Sequence, residues 1–411
     1  MDRDHRIVIV GGCGHVGLPL GVVLAAFGDA QVTLLDIDAG KVDTINQGRM
    51  PFLEQGAEGL LRKTIGKSLV ATTDTRCLAD AGVVITVVGT PVDEHLNPML
   101  HGLYRSIDRT LAAMRNDALL VLRSTVYPGV TRLVYDRIVS TGHRIHLAFC
   151  PERIAEGHAI HELRELPQIV SAFEDEARRR ARELFLRIAP TIIDLDPLEA
   201  ELAKLFTNSW RYLNFAASNQ FYMLASSYGL DFKRIHDAVT REYPRMRSFA
   251  RPGFAAGPCL LKDTLQLAAF AGNNFFMGHA AMLINEGLPN FLLNQLRGQG
   301  LSGKVVAILG MAFKAESDDS RESLSYKLKK LVSLEAAEVL CTDPYVQDPS
   351  LVSLEEALNR ADIVILGAPH KCYQQLQIPS SKTVIDIWGV WGDTVEMERN
   401  AAFATASASQ A

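Results

Sequence analysis

The sequence predicts an α/β protein: two parallel-sheet units joined by a helical middle with one long central helix. Three observations lead there. Short Val/Ile/Leu runs alternate with stretches of helical length in the first half. One uninterrupted helical pattern fills about 197–228. The alternation then returns over 300–400. Near-continuous apolar strands separated by helices indicate a parallel sheet covered on both faces.

The elements follow in order. Ile7–Val10 and Val32–Leu35 read as the first two strands. Val83–Val88, Leu119–Leu122 and Ile145–Phe149 continue the series. Pro197 suits a first helical turn and Gly229 a C-terminal stop, so 197–228 is one helix. Shorter helices are expected over 231–240, 262–271 and 278–296. Lys304–Leu309, Ala337–Cys341, Ala361–Leu366 and Thr383–Asp386 read as strands of the second unit. The expected domains are 1–196, 197–298 and 299–397, with 398–411 a disordered tail.

Bulk properties exclude several function classes. The 411 residues are 48% hydrophobic and 22% charged, with a formal net charge of -5. That is an ordinary globular composition, and no basic face marks a nucleic-acid partner. The six cysteines are scattered without metal-ligand or C-x-x-C spacing, so no metal site is expected. No apolar stretch reaches membrane-spanning length and no apolar signal segment precedes the first strand. A reduced, cytoplasmic chain is the expectation.

Gly12-Cys13-Gly14-His15-Val16-Gly17 is G-x-G-x-x-G, directly after a strand and opening a helix. Such glycines permit a tight turn and close approach of backbone to a pyrophosphate. The helix start then offers free N–H groups to the phosphates. Asp36 ends the second strand, where a carboxylate accepts from a free ribose 2′-hydroxyl and repels a 2′-phosphate. NAD is therefore the expected cofactor. A glycine-rich turn without a cofactor is the plain alternative. Thr90, Ser124-Thr125 and Pro151-Glu152 follow later strand ends, where open α/β sheets bind ligands.

Pro252 to Asp263 is the other informative stretch. Glycines and prolines break the chain just before a helical run, placing Cys259 at a helix N-terminus. Helix N-termini and nearby cations enrich the nucleophilic thiolate. Lys262 and Asp263 stand three and four residues on, on the same helical side. A buried, inert cysteine is the ordinary alternative. On the long helix, Lys204, Asn208 and Arg211 share a face, either solvated or turned to a reacting oxyanion.

Together these stretches resemble the UDP-glucose/GDP-mannose dehydrogenase family, over roughly residues 5–395. The matching segments run in family order: Gly12-x-Gly14-x-x-Gly17, Gly89-Thr90-Pro91, Ser124-Thr125-Val126-x-Pro128-Gly129 and Pro151-Glu152-Arg153-x-x-Glu156-Gly157. Glu201-x-x-Lys204-x-x-x-Asn208, Gly257-x-Cys259-x-x-Lys262-Asp263, Ala312-Phe313-Lys314 and Asp318-Asp319-x-Arg321-Glu322-Ser323 complete them.

The resemblance implies an N-terminal Rossmann domain for NAD, a helical middle that pairs subunits into a homodimer, and a C-terminal Rossmann-like domain for a UDP-hexose. It implies a four-electron oxidation of the C6 hydroxyl to a carboxylate, with Cys259 carrying a thiohemiacetal and then a thioester. Lys204 and Asn208 would stabilise oxyanion charge. Asp263, with a water at Thr125, would handle protons. Glu156 resembles the carboxylate of thioester hydrolysis, and Glu152 a second acid-base or sugar-positioning group. Thr90, Thr125, Lys262 and Arg321 would join Gly12, Gly14, His15, Val16, Gly17 and Asp36 on the cofactor. Arg153, Arg245, Phe249, Gly253, Phe254 and Lys314 lie in segments similar to substrate-binding ones, and an arginine near Arg245 would reach the partner subunit's substrate.

One departure stands out. Many relatives carry D-x-R near the end, whose arginine contacts substrate; here the segment is Asp386-Ile387-Trp388. The loop at Pro151–Arg153 looks like enzymes acting on UDP-N-acetylhexosamines, whereas Glu156-Gly157 and Lys262-Asp263 look like UDP-glucose enzymes. A GDP-mannose substrate, a one-step hydroxyacid dehydrogenase and a non-catalytic nucleotide-sugar binder are the alternatives.

Overall fold

A computed structural model describes residues 3–89, 100–255, 257–298 and 300–391. The tail expected at 398–411, Thr90 and the end of the third expected domain lie outside the described residues.

The chain divides into two compact units, one running up to Thr207 and taking in Ala269–Gly272, the other comprising Asn208–Ala268 and the described residues from Asn273 onward. In the first unit the strands are β1 (Arg6–Val10), β2 (Gln31–Leu35), β3 (Leu69–Thr72), β4 (Val83–Thr86), β5 (Leu119–Leu122), β6 (His146–Phe149), β7 (Gln168–Ala172) and β8 (Ile192–Leu195). They form one sheet in the order β3-β2-β1-β4-β5-β6-β7-β8. Strand alternation explains its two-sided burial. Ile7, Ile9 and Ile85 enter one apolar layer, under the helices Gly17–Phe27 and Asp175–Leu186. Val8, Val84 and Leu120 enter the other, under Leu100–Ala113 and Val130–Ser140. The strand order reverses between β1 and β4, the crevice at which such sheets take ligands.

The sheet departs from the all-parallel expectation at one seam. β7 runs antiparallel to β6, with Ala148 opposite Ala172. β3, β7 and β8 are also absent from the sequence reading. β3 and β8 are four-residue edge strands, and Val70 and Ile193 face solvent. One-sided edge strands lack the apolar run that marks a buried one.

The long helix spans Pro197–Ser227, 31 residues, one short of the expected end. Asp196 donates its N–H to the Glu199 carboxylate (2.9 Å), closing the first turn. Glu201, one turn in, is buried and accepts from the N–H groups of Gly129 (2.6 Å) and Thr131 (2.8 Å).

In the second unit β9 (Val305–Leu309), β10 (Glu338–Thr342), β11 (Ile363–Leu366) and β12 (Thr383–Ile385) form an all-parallel sheet, ordered β10-β9-β11-β12. The helices Phe232–Thr240, Leu260–Phe270 and Phe276–Gly298 follow the expected segments. Leu288, Leu292 and Leu296 of the last helix pack with Val306 and Ile308 of β9. The expected helical middle thus shares its core with the second sheet.

β9 and β10 repeat the geometry of β1 and β2. The N–H of Gly310 reaches the carbonyl of Thr342 (2.8 Å), as that of Gly11 reaches Leu35 (2.9 Å). Asp343 stands where Asp36 stands, but it is consumed by the fold. Its carboxylate accepts from the N–H groups of Met311 (2.6 Å), Ala312 (2.9 Å), Tyr345 (2.8 Å) and Val346 (3.0 Å), and from His370 Nε2 (3.1 Å). A carboxylate this occupied has no lone pair left for a ribose. Burial alone would raise its pKa; the bonds from His370, Tyr345 and Val346 outweigh burial and lower it to about 2. A depressed folded pKa gives stability that is complete above the unfolded value and lost as pH falls through the folded one. Acid unfolding of wild type is therefore expected to gain a component between about pH 4 and pH 2 that Asp343→Asn lacks, read by melting temperature against pH.

Candidate active site

The fingerprint folds as a tight glycine turn between β1 and the next helix. The helix opens at Gly17, and a Cβ there would sit 2.7 Å from the Gly12 Cα. A Cβ on Gly12 would meet the Ile9 carbonyl oxygen at 2.7 Å. Both glycines are demanded by close packing of turn on strand. Gly14 differs: a Cβ there would find only the Gly11 carbonyl oxygen, at 3.8 Å, so its outer side is open to a ligand. The half-buried Asp36 accepts from the N–H groups of Cys13 (3.0 Å) and Asp38 (3.2 Å), ordering the carboxylate while leaving acceptor capacity. His15 stacks on Phe52, ring centroids 4.0 Å apart. Val16 is the residue before the helix. These residues fit NAD: an open phosphate turn, a helix start and a ribose acceptor.

After β5, Ser124 donates to the Val88 carbonyl (2.6 Å) and Thr125 is half-buried beside it. The loop after β6 rests on a group that sequence reasoning missed. Arg123 has no exposed surface; it ion-pairs with Glu152 and donates to the Cys150 carbonyl (3.2 Å) and the Gln168 side chain (3.0 Å). Glu152, 8% exposed, also accepts from the N–H groups of Arg153 (2.7 Å) and Ile154 (3.0 Å). Its carboxylate is therefore a structural anchor as it stands. Arg153 donates to the Pro167 carbonyl, and burial lowers its pKa. Glu54, likewise missed, receives the N–H groups of Gly157 (2.8 Å) and Ala159 (2.7 Å), holding the segment that carries the half-buried Glu156. An acid and its arginine 29 positions apart, or an acid and the backbone N–H groups it holds over a hundred positions on, leave no local pattern that would reveal such contacts.

In the second unit Cys259 is exposed and immediately precedes the helix Leu260–Phe270; its carbonyl accepts the Asp263 N–H (2.9 Å). Asp263 is 1% exposed. It accepts from Asn208 Nδ2 at 2.5 Å and pairs with Lys262 at 3.0 Å. The fold thus joins three residues that the sequence placed in two separate motifs. Lys204 is half-buried, one turn before Asn208 on the same helix.

The cysteine loop is tightly built. Gly257 has φ +97°, and a Cβ there would lie 2.6 Å from the Phe313 ring. The next residue, Lys314, holds its ammonium 5.5 Å from that ring. Arg321 is exposed and clasps Asp319 through several bonds near 2.9 Å. Phe254 packs in the core, so its side chain is spent on folding. Phe249 stacks on His236 at 5.0 Å, and Arg245 is exposed on the turn Pro244–Met246.

Trp388 occupies the place of the expected arginine. Its indole Nε1 donates to the carbonyls of Leu366 and Gly367, both at 3.2 Å, and its ring lies on Gly253. Beside it a cavity of about 360 Å³ is lined by Tyr222, Phe232, His236, Arg251, Pro252 and Trp388, among others. Lys233 also lines it, and both cations pair with Asp237, at 3.5 and 3.0 Å.

Comparison with known proteins matches three profiles of the UDP-glucose/GDP-mannose dehydrogenase family: its NAD binding domain over residues 5–189, its central domain over 198–286 and its UDP binding domain over 307–393. A Ralstonia nicotianae NDP-N-acetyl-D-galactosaminuronic acid dehydrogenase is 29% identical over 95% of this chain and 97% of its own length. The structure of a Pyrococcus horikoshii UDP-N-acetylmannosamine dehydrogenase superposes with TM-score 0.87 at 27% identity, covering 94% of this chain and 96% of that one. A Pyrobaculum islandicum UDP-glucose dehydrogenase gives TM-score 0.87 at 25% identity, covering 96% and 95%. No helix among the described residues is long and apolar enough to cross a membrane.

Proposed function

This chain belongs to the UDP-glucose/GDP-mannose dehydrogenase family and is an NAD-dependent nucleotide-sugar 6-dehydrogenase; on that premise, we propose that it takes a UDP-N-acetylhexosamine through both oxidation steps on Cys259. One observation carries the mechanism: an exposed cysteine heads a helix whose first turn holds Lys262 and the buried Asp263, which accepts from Asn208 of the long helix. An exposed thiol can meet an aldehyde, and a buried acid beside two donors can exchange protons without being quenched by water. The relatives named above act on N-acetylated sugars in two instances and on UDP-glucose in one, which favours the N-acetylated substrate.

NAD, when bound, supplies the hydride acceptor. Gly12, Gly14 and the helix start at Gly17 would hold its phosphates, and Asp36 would accept from its ribose. The C6 alcohol loses a proton and a hydride to give the aldehyde. The Cys259 thiolate adds to the carbonyl carbon, forming a C–S bond and an alkoxide. Loss of the second hydride, to a second NAD exchanged for the first NADH, leaves a thioester, and water cleaves the C–S bond to give the carboxylate and free thiol. Lys204 and Asn208 stabilise the alkoxide, and Asp263, with a water at Thr125, carries the protons. Glu156 assists the hydrolysis, while Glu152 and Arg153 shape the sugar's loop. Lys262 and Arg321 are proposed cofactor-phosphate contacts. Lys314, Phe249 and the Arg251–Trp388 cavity are proposed for the nucleotide, where aromatic walls suit a base; Gly253, expected among the substrate contacts, has its N–H and carbonyl taken by Asn219.

The long helix supports a homodimer. Phe206, Trp210, Phe221 and Leu224 are each at least half exposed, and at about 100° per residue they fall within about 60° of one another. An apolar stripe of that length is covered by a second copy of the same helix. Arg245, exposed, is then free to reach the partner subunit's substrate. Trp210→Glu with Leu224→Glu is expected to halve the mass measured by light scattering. The enzyme would work in the cytoplasm.

The test of function is stoichiometry. Limiting UDP-N-acetylmannosamine, UDP-N-acetylglucosamine, UDP-glucose or GDP-mannose is supplied with excess NAD. Two NADH per sugar from a UDP-N-acetylhexosamine supports the reading. One NADH per sugar overturns the thioester route, and preference for GDP-mannose overturns the substrate.

A further inference from the structure

Gly253 begins the run that ends at Cys259, and its backbone is gripped from two sides. On one side lies Asn219, a fully buried residue of the long helix. Its side-chain oxygen accepts the Gly253 N–H at 2.8 Å, and its Nδ2 donates to the Gly253 carbonyl at 3.0 Å. The same Nδ2 also donates to Asn285 Oδ1 at 2.9 Å. Asn285, equally buried, donates in turn to the Tyr212 carbonyl at 3.1 Å. The ladder permits only one orientation of each amide. On the other side lies the Trp388 ring: a Cβ built on Gly253 would come within 2.2 Å of it. The indole's own bonds to Leu366 and Gly367 keep it in place. Beyond Gly253, Ala255 is buried against Tyr212, and Gly257 is lodged under Phe313.

Two asparagines buried in helix interiors cost desolvation that apolar residues would not. What they deliver here is a fixed backbone at Gly253. Asn219 stands eleven residues after Asn208 (219 − 208), which is about three turns, so the two amides share one helix face. One rigid helix therefore carries both the partner of Asp263 and the grip on the cysteine loop.

We propose that Asn219, backed by Asn285, is the positioning residue that sets Cys259 in register with Asn208 and Asp263. The proposal rests on the reading of Cys259 as the nucleophile. Asn219 touches no reacting atom. It acts through the Gly253 backbone, and a displacement of about 1 Å at a nucleophile costs on the order of 100-fold in rate.

The experiment uses the full chain with Asn219→Asp, which keeps the acceptor for the Gly253 N–H and replaces the donor to its carbonyl by a repelling oxygen. At pH 8, kcat is expected to fall about 10- to 100-fold. The deficit is expected to shrink as pH is lowered toward 6, because a protonated carboxyl recovers the donor. The rate of iodoacetamide addition to Cys259, followed by mass spectrometry of its peptide without substrate, is expected to change about threefold or more. Leu328→Ala, a core cavity on the helix Leu324–Val332, serves as the stability control and should keep wild-type kcat per folded molecule. If Asn219→Asp does not accumulate, Asn285→Leu removes the backing and should show a smaller deficit in kcat and a changed alkylation rate. Variants that match Leu328→Ala in kcat, pH profile and alkylation overturn the proposal. Should wild type release one NADH per sugar, the thioester reading fails, while the alkylation rates still decide the role of Asn219.

Discussion

Cys259→Ser is expected to abolish carboxylate formation while leaving the fold intact. The thiol is exposed and lies outside the apolar cores, so its exchange for a hydroxyl removes little packing. Its chemistry is another matter. A serine hydroxyl at this position is far less ionised than a thiol, and an ester leaves its oxygen less readily than a thioester its sulfur. Overall NADH release should fall by at least about 10³-fold, as losses of covalent nucleophiles do. Any residual NADH should come from the first oxidation, leaving aldehyde or its hydrate, identified by mass spectrometry after borodeuteride reduction. The melting temperature should stay within about 2 °C of wild type. A serine variant that still yields two NADH per sugar at the wild-type rate removes the thioester from the mechanism.

Arg123→Met carries the largest expected loss of stability. The guanidinium is wholly buried and serves Glu152, the Cys150 carbonyl and the Gln168 side chain, with its carbon 4.9 Å from the Phe185 ring centroid. Methionine fills part of the volume and satisfies none of those acceptors. The Glu152 carboxylate is left buried with backbone N–H groups alone. Breaking a buried pair from one side costs about 3–5 kcal/mol. For a unit of about 200 residues that corresponds to a melting point roughly 10 °C lower, measured by calorimetry. Glu152→Gln keeps a hydrogen-bonding partner and should cost less than half as much. A melting point unchanged in Arg123→Met would show that the pair contributes nothing net, as some buried pairs do.

The two cases differ in how far the sequence reveals them. Cys259 stands in a Gly/Pro loop before a helical run, with Lys262 and Asp263 one turn on, so its setting is local and can be read from spacing. The cofactor turn at Gly12–Gly17 and its acid at Asp36 are legible for the same reason: strand, glycines and helix lie within one βαβ unit. Both sheets and the long helix follow from apolar periodicity. The edge strands β3 and β8 escape, since half of each faces solvent. The antiparallel seam at β7 escapes because direction in a sheet is set by where the connection crosses, which no run of residues encodes.

By itself, then, the sequence determined the two parallel-sheet units and the long helix between them, the candidate NAD turn, the nucleophile candidate and the family. Each depends on neighbours within a few turns of chain. Only the tertiary structure decided that Asn208 meets Asp263 from 55 residues away and that Arg123 meets Glu152 from 29. It alone placed Trp388 on Gly253 and spent Asp343 on the fold while leaving Asp36 available. Whether a polar group serves chemistry or structure depends on how many partners surround it once buried, and packing brings those partners from elements that are remote in sequence.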